Sequence, residues 1–340
     1  MGEPAGQADP VLENRRSSLR PSLGRREERG MTVAPGPEST PAGGRENGDR
    51  ARKAVIPAAG IGSRFLPATK SVPKEMLPLL NRPAIHHTVE EAGQAGIESL
   101  LIVTGRGKRS MEDYFDLSPE LESFLSRRGG QECLEAMDEF LRRLPEILWV
   151  RQKEPLGLGH AVLMARSFCA GEPFSVLLPD ELIPASPSLL TSMEEVRLRK
   201  GGSVLAVTPV RPEQVDRYGI IQPLEGSGEG PVVGVDDVVE KPPVGEAPSN
   251  LAVIGRYLLS PSVFEVLEGL GPGSGGEIQL TDALRVLCRR EPVHALVYRG
   301  RRFDTGTLPG YMAAAIHLAR RDPDLWEDIQ RALEDGEERS

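Results

Sequence analysis

The chain changes character at residue 53. Before it there is no hydrophobic rhythm; "PSLGRREERGMTVAPGPESTPAGGRENGDR" is typical of residues 1–52. After it, short apolar runs alternate with amphipathic stretches. "KAVIPAAG" is an apolar run that ends in small residues, which predicts a buried strand feeding a loop. In "PAIHHTVEEAGQAG", Pro83 opens and Gly96 closes a segment with Ile85, Val89 and Ala92 at i, i+4 and i+7, one face of a helix. "SLLIVTG" reads as a second buried strand, and Ser118 with Pro119 opens one helix over about 118–141. "ILWVRQ" predicts a strand, "GLGHAVLMARSF" a helix, "PFSVLLPDE" a strand, "SLLTSMEEVRLRK" a helix and "GGSVLAVTPV" a strand.

This alternation predicts an α/β fold with a mixed, mostly parallel sheet flanked by helices. The second half is richer in strands ("YGIIQP", "VVGVDDVVEKPP", "NLAVIGRYLLS", "VHALVYRG"), so a small β-rich and helical lobe is added to it. "GEIQLTDALRVLCRR" is a helix that places Cys288 on its apolar face, as a small core residue. The predicted organisation is an N-terminal extension over 1–52 and one domain over 53–320, followed by a C-terminal helix and charged tail over 321–340. The domain divides into halves at 53–210 and 211–320. Ligands of such sheets bind beyond the carboxyl ends of the strands. "PAAG", "RQKEPLGLG" and "LLPDE" all fall there.

Composition narrows the function. Residues 1–52 contain no Phe, Trp or Tyr and carry a net charge of +1, leaving −10 on the remainder of a chain whose total is −9. The extension cannot bury enough apolar area to offset chain entropy and is expected to be disordered, with Met31 as an alternative start. It lacks the apolar core of a secretory signal and is too acidic for a transit peptide. An acidic chain with 4% aromatics argues against a nucleic-acid surface, and the absence of a long apolar run argues against a membrane span. Three scattered cysteines, Cys133, Cys169 and Cys288, form no metal or disulfide pattern and fit a reduced, cytoplasmic protein.

The sharpest chemistry lies in "AAGIGSRFLP" and the "PKEM" that follows. Small residues let a backbone approach phosphate oxygens, and Arg64, Lys70 and Lys74 add cations close by. GxGxxG fails because Phe65 stands at the third Gly, which disfavours a dehydrogenase; no GxxxxGK[ST] occurs either. On spacing alone, a Gly turn with surface lysines fits as well as a phosphate site.

The segment resembles the N-terminal motif of the sugar nucleotidyltransferases, pyrophosphorylases that join a nucleoside monophosphate to a sugar 1-phosphate. With "AAG", "PKEM" and His160, it is similar to the bacterial branch that uses UTP and glucose 1-phosphate. The likeness continues through "QKEPLGLGHA", "LLPDE", "YGIIQP", "VEKPP", "PSNLAVIGRY", "GGEIQLTDAL" and "FDTGT". It implies a Rossmann-like nucleotidyltransferase fold and a Mg²⁺-assisted reaction of UTP with glucose 1-phosphate, giving UDP-glucose and diphosphate. A homo-oligomer, dimer or tetramer, is implied too. The sugar phosphate is itself the nucleophile, so no Ser, Cys or His nucleophile is needed; positioning and charge neutralisation suffice.

By this resemblance, the backbone of Ala59 and Gly60 holds the nucleotide. Glu75 and Gln152 read the uracil edge, and Gly157 gives it room. Arg64 and Lys74 contact the triphosphate, with Lys70 a weaker candidate. Asp180 and Asp304 hold the metal. Glu181 stands where relatives often carry a second Asp, which leaves its role open. Gly219, Glu240 and Lys241 bind the sugar and its phosphate. Glu240 and Lys241 are neighbours, so both reach one ligand only where the strand ends, an ending that Pro242 and Pro243 supply. Two other readings stay open: another base or sugar, such as dTTP, and a catalytically silent nucleotide-sugar-binding regulator, which would be expected to lose Arg64, Lys74, Asp180 or Lys241.

Overall fold

The computed structural model describes residues 50–227, 230–273 and 276–337. The disorder expected of the N-terminal extension and the alternative start at Met31 fall almost wholly outside these residues. Strand β1 (Lys53–Ala58) leads into three single 3-10 turns, Ser63–Phe65, Ala68–Lys70 and Lys74–Met76. A small ribbon, β2 (Pro78–Leu79) with β3 (Arg82–Pro83), enters α1 (Ala84–Gln94). Then come β4 (Ser99–Thr104), α2 (Arg109–Phe115), α3 (Pro119–Arg127), α4 (Gln131–Arg142) and β5 (Glu146–Arg151). Next are α5 (Leu158–Leu163), α6 (Arg166–Cys169), β6 (Phe174–Leu177), β7 (Glu181–Leu182), α7 (Leu189–Lys200) and β8 (Ser203–Pro209). The second half holds β9 (Gly219–Pro223), β10 (Val232–Glu240), β11 (Leu251–Leu259), α8 (Ser262–Gly269) and α9 (Leu280–Leu287). It closes with β12 (Val293–Val297), β13 (Phe303–Asp304), α10 (Leu308–Ala319) and α11 (Pro323–Glu337).

Nine strands form one sheet in the order β5-β4-β1-β6-β11-β8-β12-β10-β9. Against the direction of β1, only β10 and β11 run opposite, so the sheet is mixed and mostly parallel, as the pattern predicts. Its central strands β1, β4, β6, β8 and β11 are apolar along most of their length because both faces are covered, whereas β5 and β10 carry exposed or charged positions. Val55, Val103, Val176, Leu205 and Val207 pack with Val162 of α5, Phe264 of α8 and Leu284 of α9. The alternate residues Ala54, Ile56, Leu100, Ile102, Val204 and Ala206 are also fully buried and face the other way. Helix α7 contacts β8, β11 and β12; its Ser188 side chain caps the Leu190 N–H at 3.3 Å.

The described residues up to Ser118, with Leu141–Leu318, form one compact unit that holds the whole sheet. Pro119–Phe140 and the described residues from Ala319 onward form a second, helical unit. The single helix expected over 118–141 is two helices, because Gly129, with φ of 75°, stops the first at a left-handed turn. The three cysteines are free thiols. Among the described residues no helix is long and apolar enough to cross a membrane.

Candidate active site

Register brings the first loops together. Ala58 ends β1 opposite Thr104, and Thr104 lies opposite Arg151. The chains leaving β1, β4 and β5 therefore start side by side, and the Gln152 N–H donates to the Thr104 carbonyl at 2.9 Å. A Cβ at Gly105 would stand 2.9 Å from the Ala59 carbonyl oxygen, so glycine there lets the two loops touch. Gly60 is exposed, and a Cβ on it would meet open space. Beyond it the chain folds back, with the Gly62 carbonyl accepting the Thr69 hydroxyl at 2.7 Å.

Beneath this loop is a buried ion pair. The Lys108 ammonium donates to both Glu75 oxygens, at 2.8 and 2.9 Å, and to the Ala58 carbonyl at 2.6 Å. Burial pulls the Lys108 pKa down, against the attraction of Glu75. Glu75 is 2% exposed. Its carboxylate faces Lys108, which ties it to the end of β1.

Gln152 is also buried. Its amide Nε2 lies 3.2 Å from the Gly157 carbonyl oxygen and 2.8 Å from His160 Nδ1. Gly157 has φ of +95°, and a Cβ there would lie 2.8 Å from Glu277 Cβ, so only glycine fits. Reciprocal bonds of Gly159 N–H to Ile278 O and of Ile278 N–H to Leu156 O, both 2.8 Å, fix this loop.

Asp180 follows β6. Its Oδ2 meets the Lys74 ammonium at 2.5 Å. Burial works to raise the Asp180 pKa, but the Lys74 charge and hydrogen bond, with Arg64 farther off, hold it below the ordinary value. Burial likewise opposes the Lys74 charge, yet Asp180 and Glu75 outweigh it and hold that pKa up. The ribbon of β13 on β7 sets Asp304 opposite Glu181 and brings the second aspartate in. A Cβ on Gly306 would lie 3.0 Å from Asp180 Oδ2 and 3.0 Å from Asp304 Oδ1, so both carboxylates border one small space. Glu181 points elsewhere. It is buried, and Arg302 grips both its oxygens at 2.8 and 2.9 Å. Burial pushes its pKa up to about 7, against the pull of Arg302.

The last group sits where β9, β10 and β11 meet. Ala252 pairs with Thr208 near the end of β8 and with Ile220 of β9, which brings the start of β9 to that edge. Gly219 lies opposite Glu240. Strand β10 ends at Glu240, and Lys241 has φ of 44°, a strained value for a residue with a side chain. That turn breaks the alternation of the strand, and the Lys241 ammonium lies 2.9 Å from Glu240 Oε1. Glu240 Oε2 also accepts the Thr281 hydroxyl at 2.6 Å. The guanidinium of Arg302 stacks over Tyr218, next to Gly219, at 4.8 Å. Tyr257 feels burial first, then Glu240, Glu181 and Asp180, all of which raise its pKa.

The structure thus brings Lys74, Asp180 and Asp304 into one cluster within the field of Arg64, pairs Gln152 with Gly157, and groups Gly219, Glu240 and Lys241. Among the described residues no three His, Cys, Asp or Glu side chains could hold a metal on their own. Two carboxylates beside the Lys74 ammonium are a donor set that would suit Mg²⁺, which takes one or two carboxylates and completes its shell with phosphate oxygens and water. Sequence reading missed Lys108 and Arg302, each of which looks like one surface cation among several in "GRGKRS" and "RGRRF". Only burial distinguishes them.

The model of the nucleotidyl transferase family matches residues 53–321. The chain is 50% identical over 286 residues to the UTP–glucose-1-phosphate uridylyltransferase YngB of Bacillus subtilis, covering 84% of this chain and 95% of that one. It is 47% identical over 286 residues to a second B. subtilis UTP–glucose-1-phosphate uridylyltransferase, covering 84% and 97%. A UTP-bound UGPase from Acinetobacter baumannii superposes with a TM-score of 0.76 at 39% identity, covering 83% of this chain and 98% of that one. A UDP-glucose pyrophosphorylase complexed with UDP-glucose gives 0.72 at 41% identity, covering 80% and 99%. The chain belongs to the nucleotidyl transferase family. The relatives that match it over most of its length are uridylyltransferases acting on glucose 1-phosphate.

Proposed function

We propose that the chain converts UTP and α-D-glucose 1-phosphate to UDP-glucose and diphosphate by direct attack. A phosphate oxygen of glucose 1-phosphate forms a bond to the α-phosphorus of UTP. The bond from that phosphorus to the bridging oxygen breaks, and diphosphate leaves. One observation carries this reading: the Lys74 ammonium and the Asp180 and Asp304 carboxylates share one pocket of charge beside an open, glycine-lined strand end.

The roles follow from chemistry. Ala59 and Gly60 offer backbone to the nucleotide, Gly60 from an exposed position with open space beside it. Gln152, with its amide nitrogen committed to Gly157 and His160, turns its carbonyl oxygen to the ring N–H of uracil. Glu75 serves the same loop from below, through Lys108. Lys74 and Arg64 neutralise the triphosphate and the departing diphosphate. Mg²⁺, held by Asp180 and Asp304, would supply further neutralisation of phosphate charge. Lys241 leaves Glu240 for the sugar phosphate, and Glu240 accepts sugar hydroxyls beside Gly219. The family resemblance further supports a cytoplasmic homo-oligomer, dimer or tetramer, which sedimentation velocity would count.

The test is diphosphate release from UTP, glucose 1-phosphate and Mg²⁺, with each omitted in turn. Release should need all three, and UTP with glucose 1-phosphate should lead a panel of five nucleoside triphosphates against glucose, galactose and mannose 1-phosphates. Release without a sugar phosphate, or a covalent uridylyl-enzyme that turns over, would overturn direct attack.

A further inference from the structure

Arg256 lies inside β11, within the apolar run "AVIGRYLL", and is 0% exposed. A guanidinium so placed persists only where its donors are met. Its Nε and Nη2 fork onto the Glu91 carboxylate of α1, at 3.1, 3.2 and 2.7 Å. Its Nη1 donates to the Leu178 carbonyl at 3.0 Å and its Nη2 to the Glu181 carbonyl at 2.8 Å. Those two carbonyls bracket Asp180. The Thr305 N–H closes a further side, donating to the Asp180 carbonyl at 2.7 Å.

The aim of Arg256 is built into the strand. The pairing of β11 with β8 shifts register between Val253 and Tyr257, and Gly255 takes φ of +71° inside that irregularity. Irregularities of this kind re-aim a side chain, here toward the loop after β6. The other end of the clamp is on the Lys74 side. Helix α1 begins at Ala84, whose N–H donates to the Leu77 carbonyl at 3.1 Å, just past the Lys74–Met76 turn. One guanidinium therefore joins the helix behind Lys74 to the loop that carries Asp180.

We propose that Arg256, together with Glu91, is a positioning residue for phosphoryl transfer: it fixes the backbone on both sides of Asp180 so that this carboxylate is already placed against Lys74 and Asp304 when the reactants arrive. This rests on the role given above to Asp180. Displacements of about 1 Å cost about 10²-fold in rate.

The double variant Arg256→Met/Glu91→Met replaces the ion pair with apolar bulk, an exchange that is often neutral for stability, while leaving the two carbonyls unclamped. In the ligand-free, metal-free chain, amide hydrogen exchange at Thr305 should quicken about tenfold, more than the fall in melting temperature caused by two unmet carbonyls accounts for. In the assay kcat should fall about 10–100-fold, and the Mg²⁺ concentration for half-maximal rate should rise. Arg256→Lys, which keeps the charge but not the fork, should fall between the double variant and the parent on both readouts, and it carries the test if the double variant does not fold. Parent-like exchange at Thr305, or a kcat loss that merely follows a lowered melting temperature, would overturn the proposal. Full activity in Asp180→Asn would instead remove the reading of Asp180 and leave the exchange result standing as a statement about the loop alone.

Discussion

The Lys74 ammonium and the Asp180 carboxylate lie 2.5 Å apart, and each holds the other in its charged form. Asp180→Asn keeps the shape of the site and removes one negative charge. By the size of comparable electrostatic losses, kcat should fall about 10²–10³-fold at every Mg²⁺ concentration. Steady-state rates across a Mg²⁺ titration measure this, and rescue at high Mg²⁺ would show that Asp180 only assists binding. Lys241 stands apart from that pair. It is exposed, and its ion pair is with Glu240, its chain neighbour. Lys241→Ala should raise KM for glucose 1-phosphate about 10–100-fold, the worth of a hydrogen bond to a charged group, while KM for UTP stays put. Equal losses on both substrates would reassign Lys241 to general charge balance.

Helix α1 shows what an element can conceal. Its apolar face, Ile85, Val89 and Ala92, was legible from spacing and is buried as expected. Its chemistry was not. Glu91 reads as a solvated helix residue until Arg256 is seen against it, although an arginine inside an apolar strand is itself a signal that a buried acceptor exists. The ribbon of β7 and β13 was illegible for a similar reason. Two residues on each side carry no period, and their pairing spans distant parts of the chain. The central strands of the main sheet were legible because burial on both faces makes them nearly continuously apolar. His86 on α1 also gives a pH test. Burial first, then the charges of Arg82 and His87, lower its pKa from 6.5 to about 3. Between those values the unfolded chain binds the proton and the folded one does not. The stability contributed by neutral His86 is therefore full above pH 6.5 and is lost as pH falls toward 3. At pH 5 that loss is about 2 kcal/mol. Urea unfolding of the parent and of His86→Gln at pH 7 and pH 5 should show the gap between them narrow by that amount at the lower pH. A constant gap would mean His86 titrates normally.

For the molecule as a whole, charge and apolar content are unevenly divided. The first 52 residues carry a net +1 and no aromatic side chain, while the remainder carries −10 and every strand of the sheet. The family match begins at Lys53, and 286 aligned residues already span 95% of one uridylyltransferase relative and 97% of another. Every residue assigned a role here, from Ala59 to Asp304, lies inside that match. A segment poor in apolar side chains adds little to a folded core, where about 25 cal/mol is gained per Å² of apolar surface buried. Deleting residues 1–49 should therefore leave the melting temperature within about 2 °C of the full chain, since a shift of about 2–4 °C corresponds to 1 kcal/mol in a domain of this size. It should leave kcat and both KM values unchanged as well. Differential scanning calorimetry and the diphosphate-release assay on the two chains decide the matter. A lowered melting temperature would mean that the extension packs on the domain, and a raised KM for UTP at unchanged melting temperature would mean that its arginines reach the triphosphate.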